Sequence, residues 1–152
     1  MISRKAKYGL KALLMLAREH DKGPILVSDI AKREAIPQKF LGLILLELKR
    51  RGLLQSRKGR GGGYFLAKNP ESITLGQIIR FIDGPIALVP CVSQFAYMKC
   101  DDCQDEETCG IRIVMKQVRD VMGEILDGTT LADVIKEVEA RSGRAGAKRR
   151  PQ

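Results

Sequence analysis

The sequence RKGRGGGYFL, residues 57–66, is the most informative segment for the architecture of this chain. Its glycines allow the positive φ angles of a tight turn and let the backbone approach a partner closely. Apolar residues flank the run, which predicts one strand over residues 53–56 and a second over residues 64–67. The stretch lacks the Gly-Lys-Ser/Thr ending of a nucleotide-binding P-loop, and no helical pattern follows it. We therefore predict a β-hairpin, with a flexible Gly-rich loop as the alternative.

The sequence before the hairpin begins with a predicted helix from Ser3 to His20. Ser3 is a suitable N-cap, and apolar residues recur at helical spacing along this segment. Gly23-Pro24 interrupts the chain, and residues 25–27 are a candidate short strand.

Two closely spaced helices are predicted next. Ser28 is a suitable N-cap for a helix over Asp29–Glu34, and Pro37 suits the first position of a helix that ends at Gly52. Because the link at residues 35–36 is short, we predict a helix-turn-helix, although a generic helical hairpin has the same pattern. With the hairpin behind it, the arrangement is typical of a winged helix-turn-helix. The wing carries three cations that can contact phosphates or a minor groove: Arg57, Lys58 and Arg60.

The sequence after the hairpin predicts three more helices. One runs from Leu75 to Ile82 behind Thr74, and another from Ile111 to Leu126. A third starts at the capping pair Thr130 and Asp133 and ends near Ala140. The middle helix carries an apolar stripe that predicts a homodimer, or alternatively packing within one chain: Ile111, Val114, Val118, Val121 and Ile125. The predicted fold is mainly α with a small β-hairpin wing, a winged helix-turn-helix plus a long C-terminal dimerisation helix.

Charge divides the chain of 152 residues into three parts. The net charge is +9, with about +11 in residues 1–70, −7 in residues 71–140 and +5 in residues 141–152. We predict a DNA-binding domain at 1–70, a cysteine-containing sensor loop with dimerisation helices at 71–140, and a basic disordered tail at 141–152. A surface that is merely lopsided in charge is the alternative. With neither a signal peptide nor a membrane-spanning apolar run, we expect a cytoplasmic protein with no membrane partner.

All four cysteines fall within nineteen residues, in the pattern C-x8-C-x2-C-x5-C: Cys91, Cys100, Cys103 and Cys109. Thiolates bind iron–sulfur clusters and zinc because both favour soft donors. The spacing does not match a two-knuckle zinc finger. An iron–sulfur cluster is therefore our first expectation, zinc the second and a bare thiol–disulfide switch the third. Acidic neighbours, such as Asp102 and Glu106, are expected to raise the thiol pKa values.

In several segments, taken in order, the sequence resembles the iron–sulfur winged helix-turn-helix transcription regulators of the IscR/NsrR type. The Gly-Gly-Gly-Tyr wing with downstream cysteines is the most specific of these features, and the resemblance covers roughly residues 1–140. The segments that carry it are KYGLK at 7–11, Gly23-Pro24, Asp29-Ile30-Ala31, Ile36 and the Leu41 region, Gly52-Leu53-Leu54, GRGGGYFL at 59–66, ITLGQII at 73–79 and TLADV at 130–134.

The resemblance implies a homodimer that binds palindromic promoter DNA. It also implies a cluster held by three cysteines and one non-cysteine ligand, matched here by Cys91, Cys103 and Cys109. At the two positions where the family places its fourth ligand, this chain has Arg112 and Lys7. Neither is a plausible ligand, so Cys100, which has no regular family counterpart, is the candidate. An all-cysteine site is compatible with 2Fe–2S, 4Fe–4S or zinc.

The third predicted helix departs from the family around Gly42-Leu43, so an operator sequence is not carried over from the resemblance. Residues near the N-terminus of such a helix reach base edges, which makes Gln38 and Lys39 the candidates for base contacts. Three cations at its other end are candidates for phosphate contacts: Lys49, Arg50 and Arg51.

The sequence thus predicts a homodimeric DNA-binding regulator, a repressor, controlled by an iron–sulfur cluster. One alternative keeps the DNA-binding module but assigns the cysteines to structural zinc or to a thiol redox switch. An alternative of another class is a small redox enzyme or carrier. Against it, the sequence has no nucleotide-binding motif, and His20 is far from the cysteines in sequence.

Overall fold

The computed structural model describes residues 2–148, which form a helical protein with one two-stranded hairpin. The predicted fold class is confirmed. In chain order the elements are α1 (Arg4–Arg18), α2 (Val27–Glu34), α3 (Gln38–Arg50), β1 (Leu54–Arg57), β2 (Gly63–Leu66), α4 (Leu75–Asp83), α5 (Gly110–Gly128) and α6 (Leu131–Lys148). Short 3-10 turns lie at His20–Lys22, Pro70–Ser72 and Pro90–Val92. No helix among residues 2–148 is both long and apolar enough to cross a membrane.

Helix α1 lies at the centre of the core. Its N-cap Ser3 accepts a hydrogen bond from the Ala6 N–H at 3.0 Å, and Ser3 also binds the carboxylate of Asp83 at the end of α4. Gly9 lets the two helices approach, because a Cβ there would lie 2.5 Å from the Ile82 side chain. The fully buried side chains come from α1 through α3, from β1 and from the C-terminal elements: Leu13, Ile30, Leu41, Ile44, Leu45, Leu48, Leu53, Leu54, Ile73, Ile78 and Leu131.

The hairpin is antiparallel, with Leu54 opposite Leu66 and Arg57 opposite Gly63. Both strands lie one residue away from their predicted positions. The predicted strand at 25–27 is a single bridge, in which Ile25 and Tyr64 exchange backbone hydrogen bonds of 2.9 and 2.8 Å. Gly63 has φ of 140°, and a Cβ on it would lie 2.3 Å from the Ile25 carbonyl, so this contact requires glycine.

Among the first three helices, three boundaries differ from their predicted positions. The second helix starts at Val27 instead of Asp29, because the Leu26 carbonyl already accepts the Ile30 N–H at 3.1 Å. Ser28 therefore lies inside the helix and is not its N-cap. Pro37 is the N-cap of α3 rather than its first helical residue, since its carbonyl accepts the Leu41 N–H at 2.9 Å. The first helix ends at Arg18, and His20 lies in the 3-10 turn that follows.

Helix α6 continues to Lys148, eight residues beyond the predicted end at Ala140. The start was predicted correctly, because Thr130 and Asp133 exchange the hydrogen bonds of a capping box. Arg141 pairs with Glu137, and the Ser142 hydroxyl donates to the Val138 carbonyl. Residues 141–148 are therefore helical, against the predicted disorder, because glycines alone do not end the helix and the next proline is Pro151. The final four residues lie outside the described part of the chain.

Candidate nucleic-acid interface and cysteine cavity

Helices α2 and α3 form the predicted helix-turn-helix. Ala35 adopts a left-handed conformation, φ 53° and ψ 50°, which ends α2 and turns the chain toward α3. Ile36 in the turn is buried, so the two helices are fixed relative to the core. Helix α3 buries one face and leaves the other exposed, as a recognition helix requires.

The predicted DNA-contacting residues of α3 are all exposed, but two of them also make contacts within the chain. Gln38 and Lys39 lie in the first turn of α3, and Arg50 lies in its last turn. Lys49 donates a 2.6 Å hydrogen bond to the Ser56 hydroxyl, which connects α3 to β1. The Arg51 guanidinium lies 5.7 Å from the centre of the Phe81 ring, a cation–π contact with α4. Lys49 and Arg51 therefore also hold neighbouring elements together.

The tip of the wing presents Arg57, Lys58 and Arg60 to solvent. Gly59 and Gly61 there have φ of 85° and 72°, and Gly62 lies so close to the Arg57 carbonyl that a Cβ would be 2.3 Å from its oxygen. The turn is therefore tight, and it holds the three cations in a small region. None of the three has an ion-pair partner among residues 2–148.

The four cysteines line one cavity of about 510 Å³ between the 3-10 turn at Pro90–Val92 and the start of α5. All four are free thiols; Cys91 is buried and the other three are half-buried. Arg112 also lines the cavity, and its Nε atom is buried without a hydrogen-bond partner among the described residues. The sequence cluster therefore corresponds to a single site.

Neighbouring groups raise the pKa values of two of the cavity's thiols. Hydrogen bonding with the neighbouring Cys91 thiol is the main cause that raises the pKa of Cys100, and burial and the charge of Asp102 raise it further. Burial raises the pKa of Cys103, and its neighbour Cys109 adds to the effect. The expected influence of the acidic loop is present, through Asp102 on Cys100 and Glu106 on Cys103. Without a bound cation both thiols thus favour the protonated form, so a metal must displace protons to bind.

The donor set fits an iron–sulfur cluster in its chemistry: four thiols share one cavity with an unpartnered cation, and the bound cluster would be anionic. A single zinc ion needs four donors around one point. Within residues 2–148, no group of three or more His, Cys, Asp or Glu side chains is arranged to hold one metal ion. His20 lines a different cavity, with Asn69 and Lys136 among its walls.

Two arginines connect the cysteine segment to the helices, and sequence reasoning did not identify either of them. Arg119 of α5 donates a hydrogen bond to the carbonyl of Val92, the residue after Cys91. Arg80 of α4 forms an ion pair with Asp127 of α5 through two hydrogen bonds, and the bond to Oδ2 is 2.9 Å long. This pair lowers the pKa of Asp127. The Arg80 guanidinium also lies 5.9 Å from the Phe95 ring in the cysteine segment. The only sequence signal was a cation on an otherwise apolar helix face.

The apolar stripe of α5 is largely uncovered in the single chain. Four of the five predicted dimerisation residues are between 50% and 68% exposed: Ile111, Val114, Val121 and Ile125. Val118 is half-buried, and no residue of α5 is fully buried. The stripe thus faces away from the core of its own chain.

Comparisons with known protein families and with known sequences both identify transcriptional regulators as relatives of this chain. A family model described as Rrf2, iron-dependent transcriptional regulator, matches residues 2–137. A Rhodobacter capsulatus protein named as a rrf2-like HTH-type transcriptional regulator is 44% identical over 138 residues, covering 89% of this chain and 92% of that protein.

Solved structures similar to this chain are also regulators. CymR, the global cysteine regulator of B. subtilis, has a TM-score of 0.76 at 33% identity, covering 90% of this chain and 97% of that one. The T. potens IscR structure has a TM-score of 0.71 at 29% identity and covers 100% of this chain and 93% of that one.

Proposed function

Because the chain belongs to the Rrf2 family of transcriptional regulators, we propose that it is a homodimeric repressor controlled by an iron–sulfur cluster in the cysteine cavity. The family and the relatives are helix-turn-helix transcriptional regulators and not enzymes, which sets aside a small redox enzyme or carrier. The observation that carries the cluster proposal is that all four cysteines line one cavity at the start of α5.

The proposed DNA interface consists of α3 and the wing. Gln38 and Lys39 contact base edges, while cations at the end of α3 and on the wing contact phosphates or the minor groove. The exposure of Arg50 and the wing cations supports the phosphate contacts, since an exposed cation without an ion-pair partner among residues 2–148 is free to meet a phosphate. Lys49 and Arg51 would contribute while keeping their contacts to Ser56 and Phe81.

The proposed cluster ligands are the four cysteines of the cavity: Cys91, Cys100, Cys103 and Cys109. An iron–sulfur cluster bound there would supply redox chemistry, and the occupancy of the site would depend on iron supply. Four thiolates are the ligand number of both 2Fe–2S and 4Fe–4S clusters, so the cavity is compatible with either. The Arg112 cation offsets the negative charge of four thiolates.

The coupling between cavity and DNA is proposed to run through α5. The Arg119 hydrogen bond fixes the turn that carries Cys91 to the middle of α5, so a rearranged turn displaces the helix. The Arg80–Asp127 pair connects the other end of α5 to α4, which packs on α1. If α5 is also the dimer contact, the cavity and the spacing of two recognition helices become linked.

The proposed homodimer interface is the apolar stripe of α5 itself. Four exposed apolar side chains on one helix face are unfavourable in water, and a second copy across a two-fold axis would cover them. The same two-fold symmetry would match a palindromic operator.

A second candidate rests on the state of the same cysteines. All four are free thiols that line one cavity, so a disulfide-containing oxidant such as glutathione disulfide could oxidise them. That would make the protein a thiol redox switch with the same DNA-binding module. Structural zinc is the other alternative, and it would require the thiols to gather around one point.

The test is iron, zinc and acid-labile sulfide analysis of protein purified without oxygen. We expect a coloured protein with iron and sulfide in equal amounts, lost in Cys103→Ala but retained in Gln94→Ala, an exposed control in the same segment. Colourless protein with stoichiometric zinc would instead identify a zinc site. Metal-free protein with thiols that oxidise reversibly would identify the thiol switch.

A further inference from the structure

The exposed face of α3 has an apolar centre between two cations. At 100° per residue, Lys39, Leu43, Leu46 and Arg50 lie on one side of the helix. They lie opposite the buried side chains, which are Leu41, Ile44, Leu45 and Leu48. The most solvent-facing part of the recognition helix is therefore two leucines with a cation at either end.

These leucines have no role in the core of their own chain. Leu43 is 66% exposed and Leu46 is 39% exposed, and neither belongs to the core cluster. Phe40 is similarly exposed at 37%, but its ring packs on Tyr8 at 5.9 Å, so the fold explains it. Beside Leu43, a Cβ on Gly42 would meet nothing within 4 Å, so packing within the chain does not require glycine at that position.

We propose that Leu43, assisted by Leu46, contacts thymine methyl groups in the major groove of the operator. This rests on the proposed role of α3 as the recognition helix. Arg50 is placed for a phosphate at one edge of the groove and Lys39 for a base edge, which leaves the leucines between them over the bases. In that groove only thymine presents an apolar group, its C5-methyl, and apolar side chains bind it. Leu43 therefore specifies thymine over cytosine, which carries an amino donor there and no methyl group.

The experiment first selects binding duplexes from a random pool with the full-length protein. Each thymine of the selected half-site is then replaced by deoxyuridine, which removes the methyl group and changes nothing else. Wild type should lose about fourfold in affinity at the contacted position, the value for burial of one methyl-sized group. Because a homodimer carries two copies of Leu43, Leu43→Ala should bind the thymine duplex about as weakly as wild type binds a duplex with uracil at that position in both half-sites, with little further loss on uracil.

The controls separate this contact from folding and from DNA binding in general. Alanine is a strong helix former, so Leu43→Ala should melt at the wild-type temperature. Leu88→Ala, another exposed leucine that lies outside α3, should retain the full sensitivity to deoxyuridine.

Three outcomes would overturn the assignment. They are a selected site without thymine in the half-site, equal affinity of wild type for thymine and uracil duplexes, or equal uracil sensitivity in Leu43→Ala and wild type. If no duplex were enriched at all, the DNA interface itself would fail, and the Leu43 contact with it.

Discussion

Replacing Arg60 with Ala tests the wing as a phosphate-contacting element. Arg60 lies at the exposed tip between Gly59 and Gly61 and has no ion-pair partner in residues 2–148, so its charge is available to DNA. Each phosphate neutralised by a protein cation contributes about 0.9 to the slope of log affinity against log salt. A dimer carries two copies of Arg60, so the variant should lower the magnitude of that slope by about 1.8.

The difference in DNA affinity between Arg60→Ala and wild type should therefore depend on salt concentration. Over a fourfold rise in salt, from about 50 to about 200 mM, the difference between Arg60→Ala and wild type should shrink about tenfold. Fluorescence anisotropy with a labelled operator duplex across a salt series measures both slopes. Lys116→Ala, which removes an exposed cation from α5, is the charge-matched control and should leave the slope unchanged.

The outcome that would refute the wing contact is a variant that binds more weakly but with the wild-type slope. Such a result would mean that Arg60 acts through the shape of the hairpin and not by releasing counterions from DNA.

Three further predictions address the dimer, the connection between α4 and α5, and the core. Val121→Glu should yield monomers by light scattering, because it places a charge in the exposed apolar stripe, whereas Gln117→Glu should remain dimeric; a dimeric Val121→Glu would exclude this interface. Arg80 lowers the pKa of Asp127 below its ordinary 3.8, so the pair stabilises the fold above that pH and is lost as pH falls through the lowered value. In urea titrations, lowering the pH from about 5 to about 3 should therefore reduce the free energy of unfolding of wild type by up to about 1 kcal/mol more than that of Asp127→Asn. Equal reductions would show that the pair contributes nothing. Leu45→Ala, at a fully buried position, should lower the free energy of unfolding by about 2–5 kcal/mol in a denaturant titration, and a loss below about 1 kcal/mol would contradict its place in the core.

The elements that sequence predicted well are those fixed by local signals. The wing was predictable because its tight turn requires positive φ angles, which glycine adopts readily. The start of α6 was predictable because Thr130 and Asp133 are near neighbours that hydrogen-bond to each other. The starts of α2 and α3 were misplaced because backbone carbonyls, at Leu26 and Pro37, accept the first helical bonds where the sequence suggested side-chain caps. Such alternatives differ by little free energy, so sequence alone does not separate them.

The candidate site was predictable in composition but not in arrangement. Four cysteines in a short segment are brought near one another by chain length alone, so a shared site was a safe inference. Their placement around a cavity at the start of α5 was not, since it depends on how the loop folds against that helix. The Arg80–Asp127 pair joins residues 47 positions apart, and Arg119 reaches Val92 across 27, so both depend on tertiary packing that no local pattern encodes.

Control of DNA binding by the cysteine cavity is most directly tested by one comparison of affinities. Protein purified without oxygen is titrated with its selected operator before and after removal of its iron, at a single salt concentration. We expect the two forms to differ by about 5- to 150-fold in affinity, the range of a coupling of about 1–3 kcal/mol. Equal affinities for the two forms, with both still binding the duplex, would contradict it.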